Sequence, residues 1–328
     1  MNALSSGTVA AAPRQHRSAL DFLVAHGPEL SLIVLCIGFA LSTDTFLTFR
    51  NLLNVLDQLT VLGIMALGMT AVIVIGGIDL SVGSVLALSM MVMGSLANVF
   101  GVPMPLAIVA ALVVGAVCGA VSGLLVTRAN LPAFIGTLAM MSIARGLANM
   151  VTDGSQIVGY PDWFSAMSIN RHFGFLSITV ALFIVLTVLA ALYMKYRTGG
   201  RALYAIGGSA EVARLAGIPV KRVTLLVYTV CGLLAGLAGV VMSTRLDSSQ
   251  PSGGLGYELD TIAAVVIGGA SLSGGVGTIW GTLMGVLTIG VLRNGLNLVG
   301  VSPFVQQIII GVVIVLAVAV DANKRRIR

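Results

Sequence analysis

Residues 197–222 read RTGGRALYAIGGSAEVARLAGIPVKR, and this stretch decides how the chain is built. Counting Lys195 just before it, the stretch holds six Lys or Arg against a single acid, Glu211. Apolar runs at 175–195 and 223–243 flank it, each close to the ~20 residues a membrane-spanning helix needs. Inside it, Glu211-Val212-Ala213 opens a short helix-like run that stops at Gly217-Ile218-Pro219, a glycine-then-proline ending. A basic loop held between two spans belongs on the cytoplasmic side, because Lys and Arg resist translocation.

Composition supports a lipid solvent for the rest. Hydrophobic residues make up 57% of the 328 and charged residues 9%, with a mean hydropathy of +1.04. A soluble domain carries about a quarter charged residues, so this chain cannot cover itself with polar surface. Its 40 glycines suit close helix–helix approach in a membrane. The net charge of +6 reflects basic cytoplasmic loops and not nucleic-acid binding. Cys36, Cys118 and Cys231 each sit in apolar runs and read as small buried hydrophobes. His16, His26 and His172 are scattered, and no metal-ligand spacing occurs.

Residues 1–28 are polar and basic, without the apolar core of a signal peptide, and read as a cytoplasmic tail. Apolar runs follow at 30–47, 51–76, 80–99, 103–127, 131–151, 175–195, 223–243, 258–273, 276–298 and 303–321. The expected fold class is all-α: a polytopic membrane protein of about ten helices, or eight if 80–99 and 258–273 are re-entrant. Gly63 and Gly68 make 51–76 a candidate for a broken helix. Residues 29–321 form the transmembrane domain, with the loop at about 196–222, and 322–328 a basic cytoplasmic tail. A cytoplasmic start and ten spans put Arg128, the 195–222 island and Lys324–Arg328 on one side.

Two segments resemble each other. VIVIGGIDLSVGS (Val72–Ser84) and VVIGGASLSGGV (Val265–Val276) share Ile-Gly-Gly-x-x-Leu-Ser-x-Gly, with Gly76 and Gly268 192 residues apart. The Gly-Gly pairs, Gly76-Gly77 and Gly268-Gly269, end one helix, and Asp79 or Ser271 can then cap the next. Such breaks are tolerated in a membrane only where protein or a water-filled cavity covers the backbone, and transporters place them along the pathway. Ten spans put both pairs on one side, as parallel repeats. The pathway candidates are therefore Gly76, Gly77, Asp79, Ser81, Gly268, Gly269, Ser271 and Ser273. Amides in the last two spans join them: Asn294, Asn297, Gln306 and Gln307. A plain capping role accounts for Asp79 equally well, and bonding between helices accounts for the amides.

No phosphate loop, His-Glu-x-x-His, Cys-x-x-Cys or Gly-x-Ser-x-Gly occurs, so neither ATP binding nor hydrolytic catalysis by this chain is supported. Charges inside apolar runs are few: Asp57, Arg145, Asp260 and Arg293. An ion-coupled carrier would need such carboxylates as ion sites, and Asp57 and Asp260 are the candidates. Arg145 reads as a snorkelling or interhelical partner.

These residues carry a family resemblance. Glu211-Val212-Ala213-x-x-x-Gly217 resembles the Glu-Ala-Ala-x-x-x-Gly loop of bacterial ABC importer permeases, with Val212 where Ala is usual. GGIDLSVGSVLALS (Gly76–Ser89), SAEVARLAGIPV (Ser209–Val220) and GGASLSGGVGTIWGTLMGVL (Gly268–Leu287) are similar to monosaccharide permeases of the ribose type. So is NGLNLVGVSPFVQQIIIGVVIVLAVAVD (Asn294–Asp321), and the likeness covers nearly all of the chain after residue 29. Branched-chain amino acid permeases share the superfamily. The resemblance implies a bacterial inner-membrane complex: two permease copies, an ATPase using ATP and Mg²⁺, and a periplasmic sugar-binding protein. It further implies that Glu211, Ala213, Arg214, Gly217 and Ile218 dock the ATPase, while this chain binds no cofactor. The rival expectations are a permease for another small polar solute, such as a branched-chain amino acid, and an ion-coupled secondary carrier.

Overall fold

The computed structural model describes residues 27–326. The polar 1–28 tail lies outside the described residues except for its last two, and 327–328 lie outside them as well. The helices are α1 (Gly27–Ser42), α2 (Phe49–Val74), α3 (Val82–Gly94, prolonged by a π-turn over Ser95–Val99), α4 (Met104–Thr127) and α5 (Ala133–Met150). They continue as α6 (Asp162–Ile169), α7 (Ile178–Tyr196), α8 (Thr198–Gly208), α9 (Ala210–Leu215) and α10 (Val220–Leu246). The series closes with α11 (Tyr257–Ile267), α12 (Ile279–Leu298) and α13 (Pro303–Arg326). Two-residue strands β1 (Ile157–Val158) and β2 (Ser248–Ser249) pair antiparallel, a small departure from an all-helical reading.

The starts follow local chemistry. Thr48, Ser177 and Thr278 accept from Asn51 N, Val180 N and Gly281 N, capping α2, α7 and α12. Pro103, Pro132, Pro161 and Pro219 stand immediately before α4, α5, α6 and α10, where a missing N–H costs nothing.

Each of the ten apolar runs contains a helix, and among the described residues seven helices are long and apolar enough to cross a membrane: α2, α3 with its π-turn, α4, α5, α7, α10 and α12. Gly27–Ser42 and Pro303–Leu316 are shorter apolar helices. The 258–273 run holds only the 11-residue α11. The expected break in 51–76 is absent, since α2 runs unbroken for 26 residues. Gly63 and Gly68 serve packing instead: the Phe183 ring fills the space beside Gly63, and Cys231 Cα lies 3.0 Å from where a Cβ on Gly68 would sit.

Helix α10 is central, packed on α4, α2 and α3. Its contact with α4 is a glycine seam. A methyl on Gly115 or Gly119 would collide with the carbonyl oxygens of Gly232 and Tyr228, so the two backbones touch where small residues permit it. Helices α2 and α12 run antiparallel. Thr70 and Thr282 hydroxyls meet at 2.7 Å near one end, and Asn51 and Asn294 exchange two amide bonds of 2.9 Å near the other. Helices α4, α5 and α7 are peripheral and present exposed Val, Leu and Ile, such as Val113, Ile143 and Val188.

The bundle therefore has two unlike ends. One, the basic end, carries α8 and α9 with the turns at 75–76 and 268–278. The other carries α6, the β1–β2 ribbon and an ion pair between Asp57 of α2 and Arg171, whose guanidinium that carboxylate holds charged.

The glycine seam yields a prediction. Gly119→Val overpacks a backbone contact with no room to relax, at a cost of about 1–3 kcal/mol or more. The expected outcome is a lowered thermal midpoint in detergent, whereas Gly146→Ala on α5, with open space around it, leaves the midpoint unchanged.

Candidate functional site

At the basic end, Ser209 Oγ accepts from Val212 N and starts α9. The helix stops in a tight C-terminal turn: Gly217 N bonds to Arg214 O and Ile218 N to Ala213 O, both at 3.0 Å. Gly217 takes φ +83°, a conformation that costs any side chain. Ala213 is buried and Ile218 half-buried, fixing one face of α9 to the body. The opposite face is open. Val212 is 64% and Leu215 77% exposed, and Glu211 pairs loosely with Arg214 at 3.9 Å beside them. A six-residue helix thus projects two apolar side chains flanked by one charge of each sign.

Helix α8 ties α9 to the bundle. Gly207 packs directly on the Val74 carbonyl and on Gly275, and a Cβ there would overlap both. Tyr204 Oη donates to Gly277 O at 2.8 Å; burial pushes this phenol up from its ordinary value, so it stays a donor. Gly275 N donates to Val74 O at 2.8 Å. The two Gly-Gly elements thus sit at the same end and touch each other, with α8 against both. Gly76, at φ +80°, makes the sharp turn that sends the chain back into the bundle. Gly268 packs on Gly281, and Ser273 lies exposed at the rim of the turn, its carbonyl 3.4 Å from where a Cβ on Gly76 would sit.

The caps differ from expectation. Asp79 holds Ser81, accepting its N–H at 2.9 Å and its hydroxyl at 2.6 Å, and no side chain caps α3 itself. Ser271 is buried eight residues before the start of α12, where Thr278 takes the cap. The second turn is longer than the first, which places Ser271 inside the loop and not at a helix start. Asp79 is fully buried, faced by Tyr228 and Cys231 of α10. Cys231 lies eleven residues into α10, ~16 Å from the basic end at 1.5 Å per residue. That is about half of a ~30 Å hydrocarbon core. Gly77 is buried below it against Tyr228 and Val72.

A second irregular segment enters from the opposite end. After Asp247, in a left-handed turn, residues 248–256 run back along α3. Ser249 Oγ donates to Met90 O at 2.7 Å, and Gly254 packs on Gly83. Arg145 of α5 clamps this segment, donating from Nη1 to Pro251 O at 2.6 Å and Gly253 O at 2.9 Å. Glu258, in the first turn of α11, rests its Oε2 against Gly83 at the start of α3, with the Arg145 charge nearby. The half-helices α3 and α11 thus begin close together deep in the bundle, and each is preceded by irregular chain. Ser252 and Leu255 of the irregular segment are exposed. Sequence reasoning cast Arg145 only as a partner and passed over Glu258; the Pro251-Ser252-Gly253-Gly254 run was the available signal for a loop.

The remaining candidates lie elsewhere. Asn294 is locked to Asn51, and Asn297 accepts from Gln306 Nε2 at 2.7 Å. Gln307 is exposed. Asn294 stands thirteen residues along α12 from Gly281, ~20 Å away. Asp57 is bound by Arg171 and the buried Asp260 by Arg293 at 2.5 Å, so neither carboxylate is unpaired.

Comparison with known proteins places this architecture. The family described as "Branched-chain amino acid transport system / permease component" matches residues 51–318. The chain belongs to this permease family. It is 47% identical over 302 residues to the ribose import permease protein RbsC of Escherichia coli K12, covering 90% of this chain and 93% of that one. It is 46% identical over 300 residues to ribose import permease protein RbsC of Bacillus subtilis 168, covering 91% and 92%. The fructose import permease protein FrcC of Rhizobium meliloti is 38% identical over 306 residues, covering 91% and 84%. No solved structure matches the chain. The family match takes in α8–α9, both Gly-Gly turns and the Arg145–Glu258 cluster, so everything that distinguishes this permease's two ends lies within it.

Removing the Asp79 carboxylate would strand a buried N–H and a buried hydroxyl at Ser81. Asp79→Ala is expected to cost about 1–3 kcal/mol and to lower the thermal midpoint in detergent. Asp79→Asn, which keeps an acceptor oxygen, is expected to lose less.

Proposed function

We propose that this chain is the membrane subunit of an ATP-driven importer that carries a monosaccharide delivered by a periplasmic binding protein. The observation that carries the reading is the continuous contact from the exposed α9 tip, through α8, to both Gly-Gly turns. Val212 and Leu215 are large apolar groups left mostly exposed by the described residues, and anchors of that kind fill a pocket on another protein. A separate ATPase docked there supplies the power stroke, using ATP and Mg²⁺; this chain contributes no catalytic group. Force applied at α9 reaches Val74 and Gly275 through Gly207, so both broken elements respond to one input.

In this reading the chain crosses the inner membrane ten times: through the seven long spans, α1, α13, and the pass that 248–256 and α11 make together. Residues 29–321 are the permease domain, and the basic end and both termini face the cytoplasm. Irregular backbone at membrane depth needs protein or water against it, not lipid. With Ser252 and Leu255 exposed there, we assign the face bearing 250–256, Arg145 and α11 to the translocation pathway, closed by a second copy of the chain. Asp79, Ser81, Gly76, Gly77, Gly268, Gly269, Ser271 and Ser273 then shape the moving turns, and Asn294 and Asn297 brace the helices around the path. Sugar outranks branched-chain amino acid as the cargo because the full-length relatives named above are sugar permeases. An ion-coupled carrier is disfavoured by the pairing of Asp57 and Asp260.

The test is uptake in proteoliposomes. This chain, reconstituted with its ATPase and binding protein, is expected to accumulate radiolabelled ribose or fructose only with ATP on the α9 side. Leu215→Asp is expected to insert normally while uptake falls on the order of tenfold. Uptake by the chain alone on a proton or sodium gradient, or full uptake by Leu215→Asp, would refute the docking mechanism.

A further inference from the structure

A groove of about 480 Å³ opens on the bundle surface between α2, α7 and α10. Its walls are aliphatic, formed by residues such as Leu67, Ala71, Leu189, Ala190, Leu226 and Val230. It has a direction. On α10 it runs from Val223 to Leu234, eleven residues or ~16 Å. That is about one leaflet of a ~30 Å hydrocarbon core. On α7 it ends at Met194, and Gly199 and Leu203 of α8 close its floor at the basic end.

The mouth at that end is cationic. Arg197 caps the C-terminus of α7, four residues after Tyr193, and Arg222 precedes Leu226 of α10 by four, so both continue helix rows that line the groove. Both are exposed, and neither forms a salt bridge with a carboxylate among the described residues. A slot one leaflet deep with unpaired cations at its rim has the shape of a single phospholipid. We infer that this groove is a binding site for an anionic phospholipid, its acyl chain lying along α10 and its phosphate held by Arg197 and Arg222. A second protein copy is a poorer occupant, because the same face of that copy would bring two more cations to the mouth and no carboxylate. The bound chain touches Ala71 of α2, Leu203 of α8 and Ile279 of α12 at once. It therefore wedges the elements that meet at Val74 and Gly275. This inference does not depend on which solute the permease carries.

The experiment uses the full chain purified in detergent, with lipids counted by native mass spectrometry after adding palmitoyl-oleoyl phosphatidylglycerol or phosphatidylcholine. Phosphatidylglycerol is expected to be retained in preference to phosphatidylcholine, with a rise in thermal midpoint. The double variant Arg197→Gln, Arg222→Gln is expected to weaken phosphatidylglycerol binding on the order of tenfold or more and to erase the preference. Ala190→Phe, which fills the slot and leaves every charge in place, is expected to abolish retention; it also serves if the double variant does not fold. Equal retention of the two lipids, or unchanged phosphatidylglycerol binding in Ala190→Phe, overturns the proposal. So does disulfide cross-linking of Leu226→Cys between two copies in lipid, which would mean that protein covers the groove.

Discussion

The bond from Gly275 N–H to the Val74 carbonyl is the interaction on which the rest of this architecture depends. Val74 O is one of the carbonyls left over at the C-terminus of α2, and Gly275 N belongs to the 268–278 turn. A buried backbone group left unmet costs about 1–3 kcal/mol, so each turn supplies what the other lacks. The contact is possible because Gly207 and Gly274 let backbones converge where a Cβ would intrude, while Gly76 supplies the positive φ of the first turn. Stability and coupling thus rest on the same few atoms: the site that satisfies the two turns is also the site that α8 touches.

The same rule organises the middle of the bundle. Irregular chain at 77–81 leads into α3 from the basic end, and a short strand followed by turns at 248–256 leads into α11 from the other. Each irregular stretch lies beside a helix and borrows bonds from it. Asp79 satisfies Ser81, Ser249 reaches Met90, and Arg145 covers two carbonyls with one nitrogen. Arg145 is expensive at this depth, and it is retained where it replaces water for backbone that would otherwise be bare.

Much of this was legible in the sequence. Each of the ten apolar runs contains a helix, though among the described residues only seven of these are long and apolar enough to cross a membrane. The polar island separated cleanly, and Gly217 and Pro219 marked the end of α9 by ordinary capping chemistry. The continuity of α2 was not legible, because glycine gives the same letter whether it breaks a helix or admits a neighbour such as Phe183. Nor was the interior junction: the proximity of Gly83, Gly254, Arg145 and Glu258 joins residues up to 175 apart in the chain, with no repeating spacing to betray it. The amides stayed open in the sequence between a place on the pathway and bonding between helices. The partners, Asn51 for Asn294 and Gln306 for Asn297, emerge only with the fold.

The paired amides of Asn51 and Asn294 acquire a mechanical meaning from their position. Each side chain both donates and accepts, so the pair parts only by losing two bonds together. It pins α2 to α12 at one extremity, while Val74 at the other extremity answers to α8. Between them lie twenty-three residues of unbroken helix, an arm of ~35 Å. Displacing Val74 by ~1 Å swings that arm through less than ~2°, small enough for the side chains along it to keep their rotamers. Under the proposed docking mechanism, a push at the rim becomes a tilt about this fulcrum, with the Thr70–Thr282 contact near the moving end and the amplitude growing toward the turns where the chain bends back on itself.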